Sequence, residues 1–244
     1  HKHRRRQRQM CIRDRFYSSA LMAVIVGILV LQPDIGMTLM VVLTWGFQMF
    51  LAGMPMLLVI CIVALAPLGL VVAYFTLGHV HKRINQFWEG GAWQVEKARD
   101  SFANGGLFGV GPGDGTVKHH LPDAHSDFIF AVAGEEFGAL ACLTLLTLYA
   151  FIVLRGFSRA MSDEGLFCLI ASASLLLQFG VQAAIHMASS VHLIPTKGMT
   201  LPLISYGGSS LVASGLTMGL ILALTRRRAP YVLPGRRNLQ EASS

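Results

Sequence analysis

Long apolar runs separated by short polar turns constrain the fold of this chain more than any other feature. An α-helix needs about 20 mostly apolar residues to cross the hydrocarbon core of a bilayer. Six runs approach or exceed that length, at residues 16–31, 37–52, 55–75, 128–154, 166–190 and 209–224. Charged residues make up 14% of the chain, whereas soluble domains carry about 25%. The sequence therefore predicts an all-α, polytopic membrane protein with about six transmembrane helices.

The basic residues of the chain are concentrated at its two ends. Of the formal net charge of +7, residues 1–15 contribute +6 and residues 226–244 contribute +4, so the body between them carries −3. A nucleic-acid-binding surface needs positive charge on the folded body, so this distribution excludes nucleic acid as a partner. Residues 1–15 resemble translated adaptor sequence and are predicted to be a non-native basic tail. Residues 16–225 are then the transmembrane domain.

The arginines also predict which side of the membrane each loop faces. Six spans place both ends of the domain on one side, and the arginine cluster that begins at Arg226 falls on that side together with the turn at residues 155–159. The positive-inside rule makes this side cytoplasmic. Residues 76–126 are then a large external loop, and residues 226–244 are a cytoplasmic tail.

A cluster of acids and histidines lies where the external loop meets the fourth apolar run. Ionisable residues at the edge of a bilayer are costly and persist mainly where they line a cavity or have a function. Asp127, in the stretch LPDAHSDFIFAVAGEEFG that begins at Leu121, is therefore the first candidate for a catalytic residue. The structural alternative is that Asp127 caps the N-terminus of the following helix, where the helix dipole favours a carboxylate.

Two glutamates follow Asp127 in the same run. Glu135 comes eight residues later, which on a helix is roughly 12 Å further along and 80° around. The paired carboxylates of glycosidases lie about 5 to 9.5 Å apart, so neither Glu135 nor Glu136 is expected to be a catalytic partner of Asp127. Both are expected to be buried structural acids or acids of a substrate cavity, partnered by Lys197, His186 or a backbone donor.

The polar segments contain candidate phosphate ligands. The candidates are Lys197 and Lys118, and Lys197 is favoured because its motif lies between two spans. The structural alternative for Lys197 is a side chain that snorkels to the membrane interface. The loop glycines between residues 105 and 115 match neither nucleotide-binding glycine pattern, so a loop folded against the membrane surface is expected instead. The histidines at 119, 120 and 125 lack the spacing of a zinc site.

Two short motifs predict helix boundaries. Asp34 follows a proline and is expected near the N-terminus of the second helix. The bend Tyr206, Gly207 and Gly208 is expected to precede the last span.

Four ordered motifs in this chain resemble one protein family. They are QPDIGMT at Gln32, GGLFGVGPG at Gly105, LPDAHSDFIFAVAGEE at Leu121 and LIPTKGMTLPLISYGGSS at Leu193. They are similar in order and spacing to the FtsW/RodA/SpoVE (SEDS) peptidoglycan glycosyltransferases, which have about ten transmembrane helices. The forms PTKG and PDAHSDF resemble the division branch, FtsW, more than RodA. By this resemblance the chain is an N-terminally truncated fragment that lacks about four helices.

The resemblance implies a reaction and a set of residues for it. Lipid II, a disaccharide-pentapeptide on undecaprenyl pyrophosphate, is polymerised outside the membrane when a sugar 4-hydroxyl attacks an anomeric carbon and lipid pyrophosphate leaves. Asp127 matches the catalytic aspartate of the family by its place in HSDF. The implied substrate-binding residues are Lys197, Lys118, His125, Glu135, Ser205 and Tyr206. No tightly bound cofactor is implied; a magnesium ion shared between Asp127 and the pyrophosphate fits the ligand preference of that ion.

The resemblance also implies partners, and it leaves alternatives open. A class B penicillin-binding transpeptidase, other divisome proteins and membrane lipids are the implied partners, and the location is the bacterial inner membrane at the division septum. A lipid II translocator and a divisome scaffold are the alternative functions. One departure concerns His186, where the family usually has asparagine; a neutral histidine could keep a hydrogen bond in the core.

Overall fold

The computed structural model describes residues 2–32, 34–55, 93–121, 123–162, 165–194 and 198–226, with isolated residues between 71 and 85. All regular structure in these residues is helical, which confirms the predicted all-α class. The helices are α1 (Lys2–Leu31), α2 (Ile35–Leu51), α3 (Trp93–Gly105), α4 (Ile129–Ala160), α5 (Leu166–Ser190) and α6 (Gly208–Leu224), with a 3-10 turn at Val117–His120.

Five of the six predicted spans coincide with helices, while the run at 55–75 lies largely outside the described residues. By length and composition, α4 and α5 can each cross a bilayer, and the apolar stretches Phe16–Leu31, Gly36–Leu51 and Gly208–Leu224 are shorter. The number of spans and the sidedness of residues 76–126 therefore stay predictions. Residues 2–15 extend α1 toward the N-terminus, so the boundary at residue 15 also stays a prediction.

Both predicted helix boundaries are confirmed. Asp34 is the N-cap of α2, and its side chain accepts a hydrogen bond from the backbone amide of Met37 at 3.0 Å. Such a bond satisfies one of the four amides that a helix N-terminus leaves without an intrahelical partner. At the other motif, α6 begins at Gly208 after an extended Gly207.

Helix α4 is interrupted, although the predicted run at 128–154 implied one continuous helix. Gly138 has φ 79° and ψ 179°, a backbone region essentially restricted to glycine. The loop that follows α3 fills the interruption with its own backbone. Four hydrogen bonds join loop and helix: the amides of Val110 and Gly111 donate to the carbonyls of Glu135 and Glu136 at 3.0 and 3.1 Å, and the amides of Ala139 and Leu140 donate to Gly106 and Leu107 at 2.9 and 3.3 Å.

The interruption divides α4 into two unequal segments. The segment that ends at Ala160 begins at Ala139 and contains 22 residues, which corresponds to about 33 Å at the rise of an α-helix. That length matches the hydrocarbon core of a bilayer, about 30 Å. The membrane-crossing part of α4 can therefore begin after the break, which leaves the first segment, with both glutamates, at the mouth of the helix bundle.

Helix α5 lies at the centre of the described bundle and packs against α4, α2 and α6. Its buried face contributes Phe179, Ala183 and Met187 to the main apolar cluster, together with Phe130, Cys142, Tyr149 and Leu201. Helix α3 packs against the first segment of α4 through two glycines. A Cβ atom on Gly105 would lie 2.0 Å from the carbonyl oxygen of Gly134, so only glycine permits this approach.

A glycine substitution tests the interrupted helix. In Gly138→Ala the new Cβ would lie 2.4 Å from the carbonyl oxygen of Leu107, on a backbone with positive φ. We expect the full-length protein in detergent to lose more than about 2 kcal/mol of stability, because strain and displacement of the loop add. Gly219→Ala is the matched control, since nothing lies within 4 Å of its Cβ position. Equal melting temperatures for the two variants would contradict the interruption.

Candidate active site

Asp127 lies at the end of the turn that leads into α4. The amides of Ser126 and Asp127 both donate to the carbonyl of Asp123, at 3.0 and 2.9 Å. The N-cap of α4 is Phe128, and no side chain makes a cap hydrogen bond there. The alternative that Asp127 caps the helix is therefore wrong, and its carboxylate needs another explanation.

The carboxylate of Asp127 faces the backbone of Gly198. A Cβ atom built on Gly198 would lie 3.1 Å from Oδ2 of Asp127, and Gly198 has φ +61°. Positive φ and this close approach both favour glycine at this position. The structure thus brings the last residue of the PTKG motif to Asp127, although the two are far apart in the sequence. Lys197, the preceding residue, lies outside the described residues.

Two side chains of α5 hold the chain that follows Gly198. Nδ1 of His186 lies 2.6 Å from the carbonyl oxygen of Met199, and Nε2 of Gln182 donates to the carbonyl of Thr200 at 3.0 Å. A carbonyl only accepts, so Nδ1 of His186 is assigned the proton. The expectation that histidine keeps a core hydrogen bond here is confirmed. Its Nε2 is buried without a partner among the described residues.

Ser205 ties the same segment to the turn that carries Asp127. Its hydroxyl donates to the carbonyl of Ser126 at 2.6 Å and accepts from the amide of Leu201 at 2.7 Å. The amide of Tyr206 donates to the carbonyl of His125 at 2.9 Å. Ser205 is buried, so its hydroxyl has a structural task, whereas the side chains of Tyr206 and His125 are exposed at the same end of the bundle.

Glu135 is fully buried, and its carboxylate has four donors from the chain. Oε1 accepts from the side chain of Asn104 and from the amides of Thr116 and Val117 at 2.8 to 2.9 Å, while Oε2 accepts from the amide of Lys118 at 3.1 Å. The expected backbone donors are thus present. Because a carboxylate has about four acceptor sites, this arrangement favours a structural role for Glu135.

Lys118 and Glu136 form an ion pair beside this carboxylate. Nζ of Lys118 contacts Oε1 of Glu136 and also donates to the carbonyl of Gly113 at 2.8 Å. Both side chains are largely buried. The charge of Lys118 is therefore already compensated by the chain, which makes Lys118 a weaker phosphate ligand than the sequence indicated.

Backbone strain is concentrated around Asp127. Asp123 and Leu203 are two of the non-glycine residues with positive φ, at 53° and 66°. The carbonyl of Asp123 accepts from the amides of Ser126 and Asp127, and Leu203 lies inside the turn that the bond from the amide of Ser205 to the carbonyl of Leu201 closes. Such conformations cost on the order of 1–3 kcal/mol each and persist where the surroundings over-determine them. Strained residues of this kind cluster at functional sites, which marks the 123–127 turn and the 198–206 segment together as one site.

Burial raises the pKa of the Asp127 carboxyl above its ordinary value. A hydrogen bond from Ser126 opposes this effect, and the negative charge of Asp123 adds to it. Removing a carboxylate partly from water disfavours its charged form. The ionised form of Asp127 is therefore a stronger base than an exposed aspartate would be.

Sequence reasoning missed Gly198 and Gln182 as parts of the site. Gln182 had a signal, because it lies four residues before His186 and so on the same face of a helix. Among the described residues no group of three His, Cys, Asp or Glu side chains converges as a metal site would require. His119 and His120 are exposed in the 3-10 turn.

The fold and the site together define a class of protein: an all-helical protein with two helices long and apolar enough to cross a membrane, and a half-buried carboxylate at one end of its apolar helices. The chain belongs to the FtsW, RodA and SpoVE family, whose model, described as "Cell cycle protein", matches residues 1–229. The resemblance seen in the sequence motifs is thereby confirmed.

Relatives and solved structures agree with this assignment. The probable peptidoglycan glycosyltransferase FtsW of Caulobacter vibrioides is 43% identical over 206 residues, which cover 83% of this chain and 53% of that protein. The peptidoglycan glycosyltransferase RodA of Mycobacterium leprae is 32% identical over 206 residues, which cover 82% of this chain and 44% of that protein. The chain therefore spans about half the length of the curated relatives it matches.

Two solved structures share the fold. A chain of a peptidoglycan synthase complex, studied for its coordination of polymerization and crosslinking, aligns with a TM-score of 0.68 and 27% identity over 87% of this chain and 62% of that one. An aspartate-to-alanine mutant of the rod shape determining protein RodA of Thermus thermophilus aligns with a TM-score of 0.55 and 28% identity, covering 87% and 59%.

The Glu135 contacts generate a prediction. In Glu135→Gln an amide replaces the carboxylate, so at least one of the four donors loses its acceptor. We expect a loss of about 1–3 kcal/mol, the cost of leaving a buried donor unsatisfied, and faster hydrogen exchange at residues 116–118. Glu96→Gln is the control, because Glu96 is an exposed glutamate of α3 that makes none of these contacts. Unchanged exchange in Glu135→Gln would show that the four donors do not depend on the carboxylate.

Proposed function

We propose that this chain forms part of a peptidoglycan glycosyltransferase that polymerises lipid II, and that Asp127 is its general base. The observation that carries the proposal is the half-buried Asp127 carboxylate, held against Gly198 with a raised pKa and no capping role. The names of the relatives, probable peptidoglycan glycosyltransferase FtsW among them, support the reaction class.

The proposed step transfers one proton and exchanges one bond. The 4-hydroxyl oxygen of the acceptor sugar forms a bond to the anomeric carbon of the donor, whose bond to the pyrophosphate oxygen breaks. The proton of the hydroxyl passes to Asp127, and the bonding electrons leave with undecaprenyl pyrophosphate. A base contributes most when its pKa approaches the working pH. The partial burial of Asp127 moves its pKa in that direction.

The leaving pyrophosphate needs positive charge, and Lys197 is the residue we propose for it. Lys197 precedes Gly198, whose backbone lies beside Asp127, while Lys118 is already paired with Glu136. A divalent cation such as magnesium would add charge neutralisation when bound with the pyrophosphate. Asp127 and Asp123 are carboxylates of the kind that share such an ion with substrate phosphates.

We propose that the site faces the outside of the inner membrane and works in septal wall synthesis. FtsW relatives support the division role. A class B penicillin-binding transpeptidase is the proposed partner, because uncrosslinked glycan would not hold turgor. The fold shared with a chain of a peptidoglycan synthase complex supports this partner. Exposed Tyr206 and His125 lie at the proposed external mouth and are proposed to contact the substrate.

Replacement of Asp127 is the central test. Asp127→Asn in the full-length protein, purified with its transpeptidase and supplied with lipid II in detergent, should lose at least about 10²-fold of polymerising activity, the usual contribution of a general base. Asp34→Asn is the control, because asparagine caps a helix as well as aspartate does. Detergent removes the two membrane compartments, so polymer formed there identifies a polymerase and not a translocator. Wild-type polymer from Asp127→Asn would refute the assignment.

The pH dependence gives a separate prediction. A base must be ionised, so activity should fall as the pH drops through the raised pKa of Asp127, at a pH above the ordinary aspartate value of about 3.9. Asp123→Asn removes the neighbouring negative charge that helps to raise this pKa. The pH at which activity falls on the acidic side of the profile should therefore be lower in this variant. The measurement is the pH profile of the polymerisation rate. A shift to higher pH would contradict the assignment of Asp127 as the titrating base.

A further inference from the structure

A cavity lies at the opposite end of α4 from Asp127. Its volume is about 660 Å³, and six residues line it: Arg155, Ser158, Arg159, Ser162, Thr225 and Arg226. Arg155, Ser158 and Arg159 lie at positions i, i+3 and i+4 and therefore share one face near the end of α4, and Ser162 lies in the turn that follows the helix. The other two follow the last residues of α6. Ala160 of α4, Leu176 of α5 and Ile221 of α6 form one small buried apolar cluster, so α5 connects these two helix ends.

The cavity is cationic, and its donors are guanidinium groups. Among the described residues, none of its three arginines has an ion-pair partner; Asp163 and Glu164 follow α4 but lie outside those residues. The three hydroxyls donate to carbonyls of their own helices, Ser158 to Leu154, Ser162 to Arg159 and Thr225 to Ile221. The N–H groups left to bind a ligand therefore belong to arginine, which favours phosphate and carboxylate.

An ordinary role for these arginines is to complement the helix dipole and to mark the cytoplasmic side. Neither role requires a cavity that three arginines line at the ends of two helices. The cavity therefore indicates a ligand that carries negative charge.

An exposed apolar track leads into the cavity along the same helix face. Leu148 and Phe151, 50% and 63% exposed, precede Arg155 by seven and four residues. On α6, Leu222 is 60% exposed and precedes Arg226 by four residues. A free phosphate would contact only the cationic end. A phospholipid would contact both, with its headgroup in the cavity and its acyl chains along the track.

We propose that this cavity binds the phosphate headgroup of an anionic phospholipid, with the acyl chains lying against Leu148 and Phe151. Basic pockets between transmembrane helices at the cytoplasmic face are suited to such headgroups. The site is separate from the one that contains Asp127. Its test measures bound lipid and not polymerisation, so it can fail without affecting the proposed function.

The test compares lipid retention in variants of the full-length protein. Each is reconstituted in phosphatidylcholine bilayers that contain a minor fraction of phosphatidylglycerol, and co-purified lipid is counted by native mass spectrometry. The wild type should retain phosphatidylglycerol, and Arg155→Gln with Arg159→Gln should retain at least about tenfold less, as expected for losing more than one charged hydrogen bond. Arg99→Gln, which removes an exposed charge on α3, is the matched control and should retain the lipid.

Two further arms make the result decisive. Melting temperatures verify that the double variant is folded. Phe151→Asn should lower the retention of phosphatidylglycerol without changing the binding of glycerol phosphate, which lacks acyl chains. Retention of phosphatidylglycerol by the folded double variant at the wild-type level would overturn the proposal. So would glycerol phosphate displacing the lipid at equal concentration, because the site would then be one for soluble anions.

Discussion

The carboxylate of Glu135 is the interaction on which the Asp127 end of the molecule depends. A buried carboxylate without partners is too costly to persist as a charge. Glu135 avoids this cost with one side-chain donor and three consecutive backbone amides, which fixes the start of the 3-10 turn against α4. Its own carbonyl accepts from Val110 in the loop that fills the helix interruption. One residue thus joins α3, the glycine-rich loop and the 3-10 turn to α4.

The position of Asp127 follows from a second set of bonds, which come from α5. His186 and Gln182 hold the backbone on one side of the 198–206 segment, and Ser205 joins that segment to the turn before α4. Three parts of the chain therefore determine where one carboxylate lies. Such over-determination explains how Asp123 and Leu203 can keep unfavourable backbone angles. Pre-organisation of this kind is what a general base needs, because it reduces reorganisation when the proton moves.

Five helices could be predicted from the sequence because each coincides with an apolar run that approaches or exceeds the length of a span. Helix α3 was not predicted, because it lies in the polar segment that was expected to be a loop. Asp34 and Gly207 could be placed because capping and bending are local. The interruption at Gly138 could not. The residues around it remain apolar, and a glycine inside an apolar helix does not by itself indicate a break. The loop that fills the break was expected against the membrane surface, since the sequence contains no signal for backbone bonds between segments so far apart. For the same reason, Lys118 was predicted as a phosphate ligand and not as the partner of Glu136.

The charges around Asp127 restrict how a pyrophosphate can bind there. Asp123 and Asp127 are acidic, and Glu135 has only neutral donors from the chain. The charge of Lys118 is compensated by Glu136. A pyrophosphate that approached this end would therefore meet like charges, which repel most strongly where water is partly excluded. The reaction proposed for this site needs a cation that the described residues do not supply. Lys197 is placed by the sequence next to Gly198, and an ion that arrives with the substrate would act in the same direction.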